Sequence, residues 1–270
     1  NLVQAAYTAE NPKNYERLVT LTDYFEYQEY ATRVNPDGIA SEGLDGLNAI
    51  AKDLASFVES VKENYGYYLA RYEASYGSGS SVADYKPLSK TSTGTPRRNN
   101  STTLNIGMLW NCVGQIDSAK ISRNMYNNDE NVGVESDLVN SYAWDTAIVF
   151  IQEMGNVNYA NRVDNNGNLK NTGMTGDKVC NIYDLSSNCM EWTTEYSPYN
   201  SGNYAYSCVF RGGAYDIKNY YTAYRYHGTA SSGKADRCSF RTIIYIKWTI
   251  YKIVEHIAAP RPCTQEGSVV

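Results

Sequence analysis

The chain has 270 residues, 42% of them hydrophobic, which is enough for a sizeable core in one large domain or two small ones. A net charge of −5 and a pI near 5.2 argue against a nucleic-acid partner, which needs a basic face. No run of about 18 apolar residues occurs, so nothing reads as a membrane span, and no signal peptide is visible. Residues 1–43 are mixed and polar, with only a weak alternation at Tyr24, Phe25, Tyr27 and Tyr30. From Leu44 to Val61 apolar residues recur at helical spacing: Leu44, Leu47, Ile50, Ala51, Leu54, Phe57, Val58 and Val61. Asn64 and Gly66 end that helix. "YYLARYEAS" (67–75) then alternates as a strand should.

Residues 76–103 are rich in Gly, Ser, Thr and Pro and read as a long loop. "GSGSSV" within it lacks the Lys of a phosphate-binding loop and the third Gly of a dinucleotide fingerprint. Two further helices are predicted, at Asp117–Tyr126 and at Ser141–Gln152, the second with Tyr142, Ala143, Ala147, Ile148 and Ile151 available for burial. "RVDNNGNLKNTG" (162–173) resembles a calcium loop only superficially. Placing Gly167 sixth puts Arg162 first and Gly173 last, so a polar turn is the better reading. After Cys180 short apolar stretches alternate with turn residues and end in a strong strand at Ser239–Ile246. Helices first and a small sheet after them define an α+β class with much irregular structure.

Six cysteines are present, none in a C-x-x-C pair, which disfavours a structural zinc site. They read as free buried thiols, or as carrying one bridge, Cys208 to Cys238, in an oxidising compartment. Tyrosine is the unusual residue: 26 against five Phe. It offers a rigid contact area and a hydroxyl at the cost of two side-chain torsions, as antibody-like surfaces exploit. The bland reading is that tyrosines fill half-buried strand positions. Clustering favours a contact surface, because Tyr196, Tyr199, Tyr204, Tyr206, Tyr215, Tyr220, Tyr221, Tyr224 and Tyr226 fall in one short window.

Several stretches then line up in order. "GYYLARYEAS" (66–75), "NIYDLSSNCMEW" (181–192), "FRGGAY" (210–215), "AYRYHG" (223–228) and "SFR" (239–241) resemble successive motifs of the formylglycine-generating enzyme and sulfatase-modifying-factor superfamily. "SYAWDTAIVFI" (141–151) stands where that family keeps a Trp-bearing helix. The resemblance covers roughly residues 66–246. It implies a C-type-lectin-like fold of the sulfatase-modifying type over 44–248, an N-terminal extension at 1–43 and a C-terminal tail at 249–270. A chain opening on Asn1, without the family's preceding strand, reads as a truncated piece. Trp192 is then a core aromatic, and Glu191 a buried partner for Arg211 or Arg241, since an unpaired buried charge costs several kcal/mol.

Aerobic enzymes of that superfamily hold copper(I) with two cysteines in a stretch like "CYRYRC". Ala223 and Gly228 stand there in this chain, and neither can supply the soft thiolate that copper(I) requires. His227 and His256 are the two histidines, which supplies a catalytic triad poorly. The formylglycine-generating type of oxidoreductase is therefore the lesser alternative, beside an unvaried lectin-like binding domain. The same fold resembles the variable proteins of diversity-generating retroelements, which bind ligands through hypervariable residues between an RGG-like stretch and a final FR stretch. The corresponding residues here are Tyr215, Asp216, Asn219, Tyr220, Tyr221, Tyr224, Tyr226, His227, Ser231, Ser232 and Asp236, and Tyr204 and Tyr206, just before the RGG stretch, are candidate ligand contacts with them. On this reading most of Tyr215, Asp216, Asn219, Tyr220 and Tyr221, together with His227, are exposed on one contiguous face. The implied partner is a protein or carbohydrate ligand on another cell or phage surface, with a cell-surface, secreted or phage-associated location. Members of the family also bind calcium near the second motif, which makes Asn188 and Glu191 candidate ligands.

Overall fold

A computed structural model describes residues 50–51, 54–63, 66–98, 103–126, 133–165, 167–201, 204–229 and 235–246; for 54–56, 196–201 and 204–207 only the backbone is described. The expected extension at 1–43, the tail at 249–270 and the first part of the predicted 44–61 helix lie outside these residues. Among the described residues the protein is α+β, with three α-helices and four small sheets. No helix there is long and apolar enough to cross a membrane.

Helix α1 is Leu54–Glu63. Its buried Phe57 packs against the rings of Tyr67 and Tyr142 at 5.4 and 6.0 Å. Helix α2, Gln115–Arg123, starts two residues before the predicted helix and stops three short of it. Helix α3, Ser141–Glu153, matches its prediction because the sequence marks its start: the Asn140 side chain accepts from the Ala143 N–H at 2.8 Å. It is buried nearly all round rather than along one stripe, with Ala143, Ile148, Val149 and Ile151 fully enclosed.

The strand predicted at 67–75 is two short strands, β1 (Tyr68–Leu69) and β2 (Ser75–Ser78), separated by a bend. Strand β2 pairs antiparallel with β3 (Lys86–Leu88), inside the stretch expected to be a loop. Strand β4 (Val134–Leu138) precedes α3, and β5 (Lys178–Val179) pairs with β6 (Ile182–Tyr183). The long strands follow: β7 (Met190–Ser201), β8 (Tyr204–Arg211) and β9 (Arg225–Gly228). Last come β10 (Cys238–Phe240) and β11 (Thr242–Ile246).

One sheet has the order β10-β7-β8-β9 and the other β1-β11-β4. All pairings are antiparallel except β10 on β7. The strand predicted at 239–246 is thus broken at Arg241, where the chain leaves one sheet for the other. Phe240 lies beside Trp192, and Thr242 beside Leu138. One core cluster, with Trp110, Trp192, Phe210 and Phe240, sits against the four-stranded sheet. A second, with Phe57, Trp144, Ile148 and Tyr245, joins α1 and α3 to the three-stranded sheet.

Candidate binding face

The site is built on three buried arginines. Arg241 is fully buried at the sheet switch. Its Nε and Nη2 donate to the two carboxylate oxygens of Glu191 at 2.9 and 2.6 Å, and its Nη1 and Nη2 donate to the carbonyls of Ala70 and Tyr183 at 2.7 Å each. Burial opposes the Arg241 charge, but the Glu191 carboxylate outweighs it and raises the guanidinium pKa. One arginine therefore pins β1, β6 and β7 to the point where the chain changes sheets.

Arg211, also fully buried, ends β8. Glu191 lies opposite it across the β7–β8 pair, yet Arg241 already takes both Glu191 oxygens. Of the two partners expected for Glu191, Arg241 is the one it takes, and Arg211 Nη2 pairs with Asp145 of α3 instead. It also donates to the carbonyls of Ala223 and Tyr224, both at 3.2 Å. Arg225 completes the group, with Nε to Glu195 at 3.0 Å and Nη2 to Asp145 at 3.3 Å. Asp145, Glu195 and Arg225 were missed in the sequence, where nothing marks residues 30 to 80 positions apart as partners.

The two glycines after Arg211 have a steric reason. Gly212 has φ +86°, and a Cβ there would meet the Leu185 carbonyl and the Trp144 ring at 2.7 and 2.9 Å. A Cβ on Gly213 would stand 2.1 Å from the Ser186 carbonyl oxygen. The RGG stretch thus lets the chain pass against 185–186, held by a Gly213 N–H to Leu185 carbonyl bond of 3.2 Å. Beyond it, the Trp144 indole donates to the Thr222 carbonyl at 3.0 Å. Scaffold atoms therefore grip residues 222–224 from Arg211 and Trp144.

The tyrosines on this support divide into two kinds. Tyr215 is 7% exposed, contrary to expectation. It packs with Leu109, Leu169 and Cys189, and its hydroxyl accepts from Arg98 at 3.2 Å. Burial, with the Asp236 carboxylate next, raises its pKa to about 12. Asp236 itself pairs with Arg98 at 3.3 Å. Tyr224 is likewise 7% exposed and lies at the centre of a ring cluster. Tyr220 stacks on it at 4.1 Å, Tyr221 meets it edge-on at 5.3 Å, and Tyr226 stacks at 6.1 Å and in turn on His227 at 4.7 Å. Tyr220, Tyr221 and His227 are half-buried, not fully exposed as expected, Tyr226 is half-buried beside them, and Asp216 and Asn219 are exposed. Burial lowers the His227 pKa. Strand β9 is the outer strand of its sheet among the described residues. The backbones of Tyr204 and Tyr206 run in β8, but their side chains, and the whole of Ser231, lie outside what is described.

Below this face the Thr222 and Ala223 N–H groups bond to the carbonyls of Arg162 and Ala160, both at 3.0 Å. Arg162 lines an open hollow of about 620 Å³ with Asn156, Val157, Asn158, Tyr159 and Asn161.

Asn188 and Glu191 do not fit a calcium ion as they stand. Both Glu191 oxygens face Arg241; the Asn188 amide donates to Glu73 at 2.6 Å, and its Oδ1 accepts from the Lys170 N–H at 2.9 Å. Glu73, buried between Asp184 and Glu191, is pushed well above the usual carboxylate range, chiefly by burial. Ala223 and Gly228, where the copper enzymes carry cysteines, are both buried. The five described cysteines are free thiols. A Cys208–Cys238 bridge does not fit, because β7 lies between their strands and two strand spacings put them about 10 Å apart, beyond the reach of a disulfide. No protein-family model, curated protein or solved structure matches the chain.

Proposed function

We propose that the protein binds a ligand through a tyrosine-rich face carried on a C-type-lectin-like scaffold of the sulfatase-modifying kind. The observation that carries this reading is the half-exposed stack of Tyr220, Tyr221, Tyr226 and His227 around buried Tyr224, whose carbonyl is held by Arg211. Aromatic groups left partly open on a fixed support are unusual unless they contact something. Tyrosine in that setting is a frequent hot spot. The exposed Asp216 and Asn219 beside the stack supply polar contacts. The partner is a protein or carbohydrate on a cell or phage surface, and the loss of the copper-binding cysteines at Ala223 and Gly228 favours binding over oxidation chemistry.

The window 204–236 is proposed to vary between sibling copies of the gene while the arginine frame stays fixed. Sequencing several loci tests this: substitutions confined to the window support it, and uniform drift along the chain overturns it. Binding is tested on a glycan and surface-protein array with the parent and with Tyr220→Ala and Tyr226→Ala. A ligand retained equally by all three would place the contact face elsewhere.

A further inference from the structure

Cys112 stands apart from the tyrosine face and has no role in it. It is half-buried, whereas Cys189 and Cys238 are buried. Its backbone N–H donates to the Cys238 carbonyl at 3.0 Å. One such bond keeps the two Cα atoms within about 7 Å, the outer reach of a disulfide. Asn111 fixes the surroundings, since its amide donates to the carbonyls of Arg97 at 2.9 Å and Asp236 at 2.7 Å. Three chain segments thus converge on one thiol. We propose that Cys112 is a reactive thiol and Cys238 its resolving partner, so that a low-molecular-weight disulfide converts the pair into an intramolecular bridge.

The local electrostatics agree. Arg97 is 8% exposed, and burial works against its charge, while the Cys112 thiol is one of the neighbours that restore it. Arg97 and Cys112 thus lie within electrostatic reach of each other, and a basic neighbour is the setting in which reactive cysteines occur. Cys238 is different: burial raises its thiol to about 12, and Cys112 adds to the rise. It does not attack first. Cys189 is raised well above an ordinary thiol by burial and by Glu73, and its S–H faces the Asp236 carbonyl at 3.6 Å, which makes it a bystander.

The chemistry closes in two exchanges. The Cys112 thiolate attacks one sulfur of glutathione disulfide, forming a mixed disulfide and expelling a glutathione thiolate. Consumption of the Cys112 charge removes one obstacle to ionising Cys238. The Cys238 thiol then loses its proton to the departing thiolate or to water and attacks the Cys112 sulfur, releasing the second glutathione. Two protein thiols are oxidised and one disulfide is reduced to two thiols.

Trypsin separates the candidates, because Cys112 lies alone in Asn99–Lys120 and Cys238 alone in Cys238–Arg241, while Cys180, Cys189 and Cys208 share Val179–Arg211. The full chain is reduced, treated with glutathione disulfide under native conditions, alkylated and mapped by mass spectrometry. The expected product joins the first two peptides. Cys238→Ser should leave glutathione on Cys112, and Cys112→Ser should leave Cys238 unmodified. Arg97→Gln should slow modification of Cys112 measurably, and Arg97→Lys should recover most of the rate. Circular dichroism verifies that each variant is folded. A bridge to Val179–Arg211, modification of Cys180 with Cys112 untouched, or no reaction in the folded parent would overturn the proposal.

Discussion

The arginine frame and the tyrosine window touch each other, yet they obey different rules. Arg211, Arg225 and Arg241 are all buried, and each is met by a carboxylate. The tyrosines they support are sorted individually: Tyr215 and Tyr224 inside, Tyr220, Tyr221 and Tyr226 half out. A buried guanidinium is stable only when its charge and donors are matched, so its position admits almost one arrangement. A tyrosine ring is tolerated at any depth, because its edge packs and its hydroxyl reaches water. A frame with no freedom can therefore carry a window with much.

The sharpest way to break that contrast is Arg241→Ala. It leaves Glu191 buried without its cation and frees the carbonyls of Ala70 and Tyr183. The expected loss is about 3–5 kcal/mol, a fall in Tm of roughly 10 °C for a domain of this size. A variant melting within a degree or two of the parent would mean that the frame does not carry the fold. In the same frame, Gly213→Ala should cost about 1–3 kcal/mol, because the new methyl collides with the Ser186 backbone, which cannot swing aside like a flexible side chain. Thermal denaturation measures both.

The frame was partly legible in the sequence, and the reason is local. Arg211, Arg241 and Glu191 stand in the short stretches that carry the family resemblance, and that resemblance, with the cost of an unpaired buried charge, marks all three for burial. Asp145 was not, because it sits mid-helix, 66 residues from its partner Arg211, in a pattern that only shows that α3 is buried. The β2–β3 pair was hidden by Gly77 and Pro87, which read as loop residues. Tyrosine depth was illegible for the reason the residue is useful: alternation places a ring on one side of a strand, but residues 215–224 form turns, and contacts distant in sequence, from Leu109, Leu169, Cys189 and Arg98, draw Tyr215 inward.

Within the window the response should depend on the depth of each ring. Tyr220→Ala removes a stacked ring from Tyr224 and is expected to cost about 0.5–1.5 kcal/mol, the worth of one aromatic pair. Tyr215→Ala removes a buried ring that also bonds Arg98 and should cost about 3–5 kcal/mol, in the range of core aromatic truncations. Parallel urea titrations of the two variants compare them directly. Equal losses would erase the distinction between inner and outer tyrosines.

The smallest effect concerns His227, half-buried and stacked on Tyr226. Burial lowers its pKa below the ordinary histidine value, so the unfolded chain takes up a proton at a higher pH than the folded one. Its stabilising contribution is therefore complete above about pH 6.5 and is lost as pH falls toward the lower folded pKa. Half-exposure keeps the change small. Plotting Tm against pH for the parent and for His227→Gln isolates it: the parent should lose slightly more stability than the variant on acidification from neutral pH. Superimposable profiles would show that the imidazole is as well hydrated in the folded protein as in the unfolded chain. They would also mark the outer end of the aromatic stack as fully open to water.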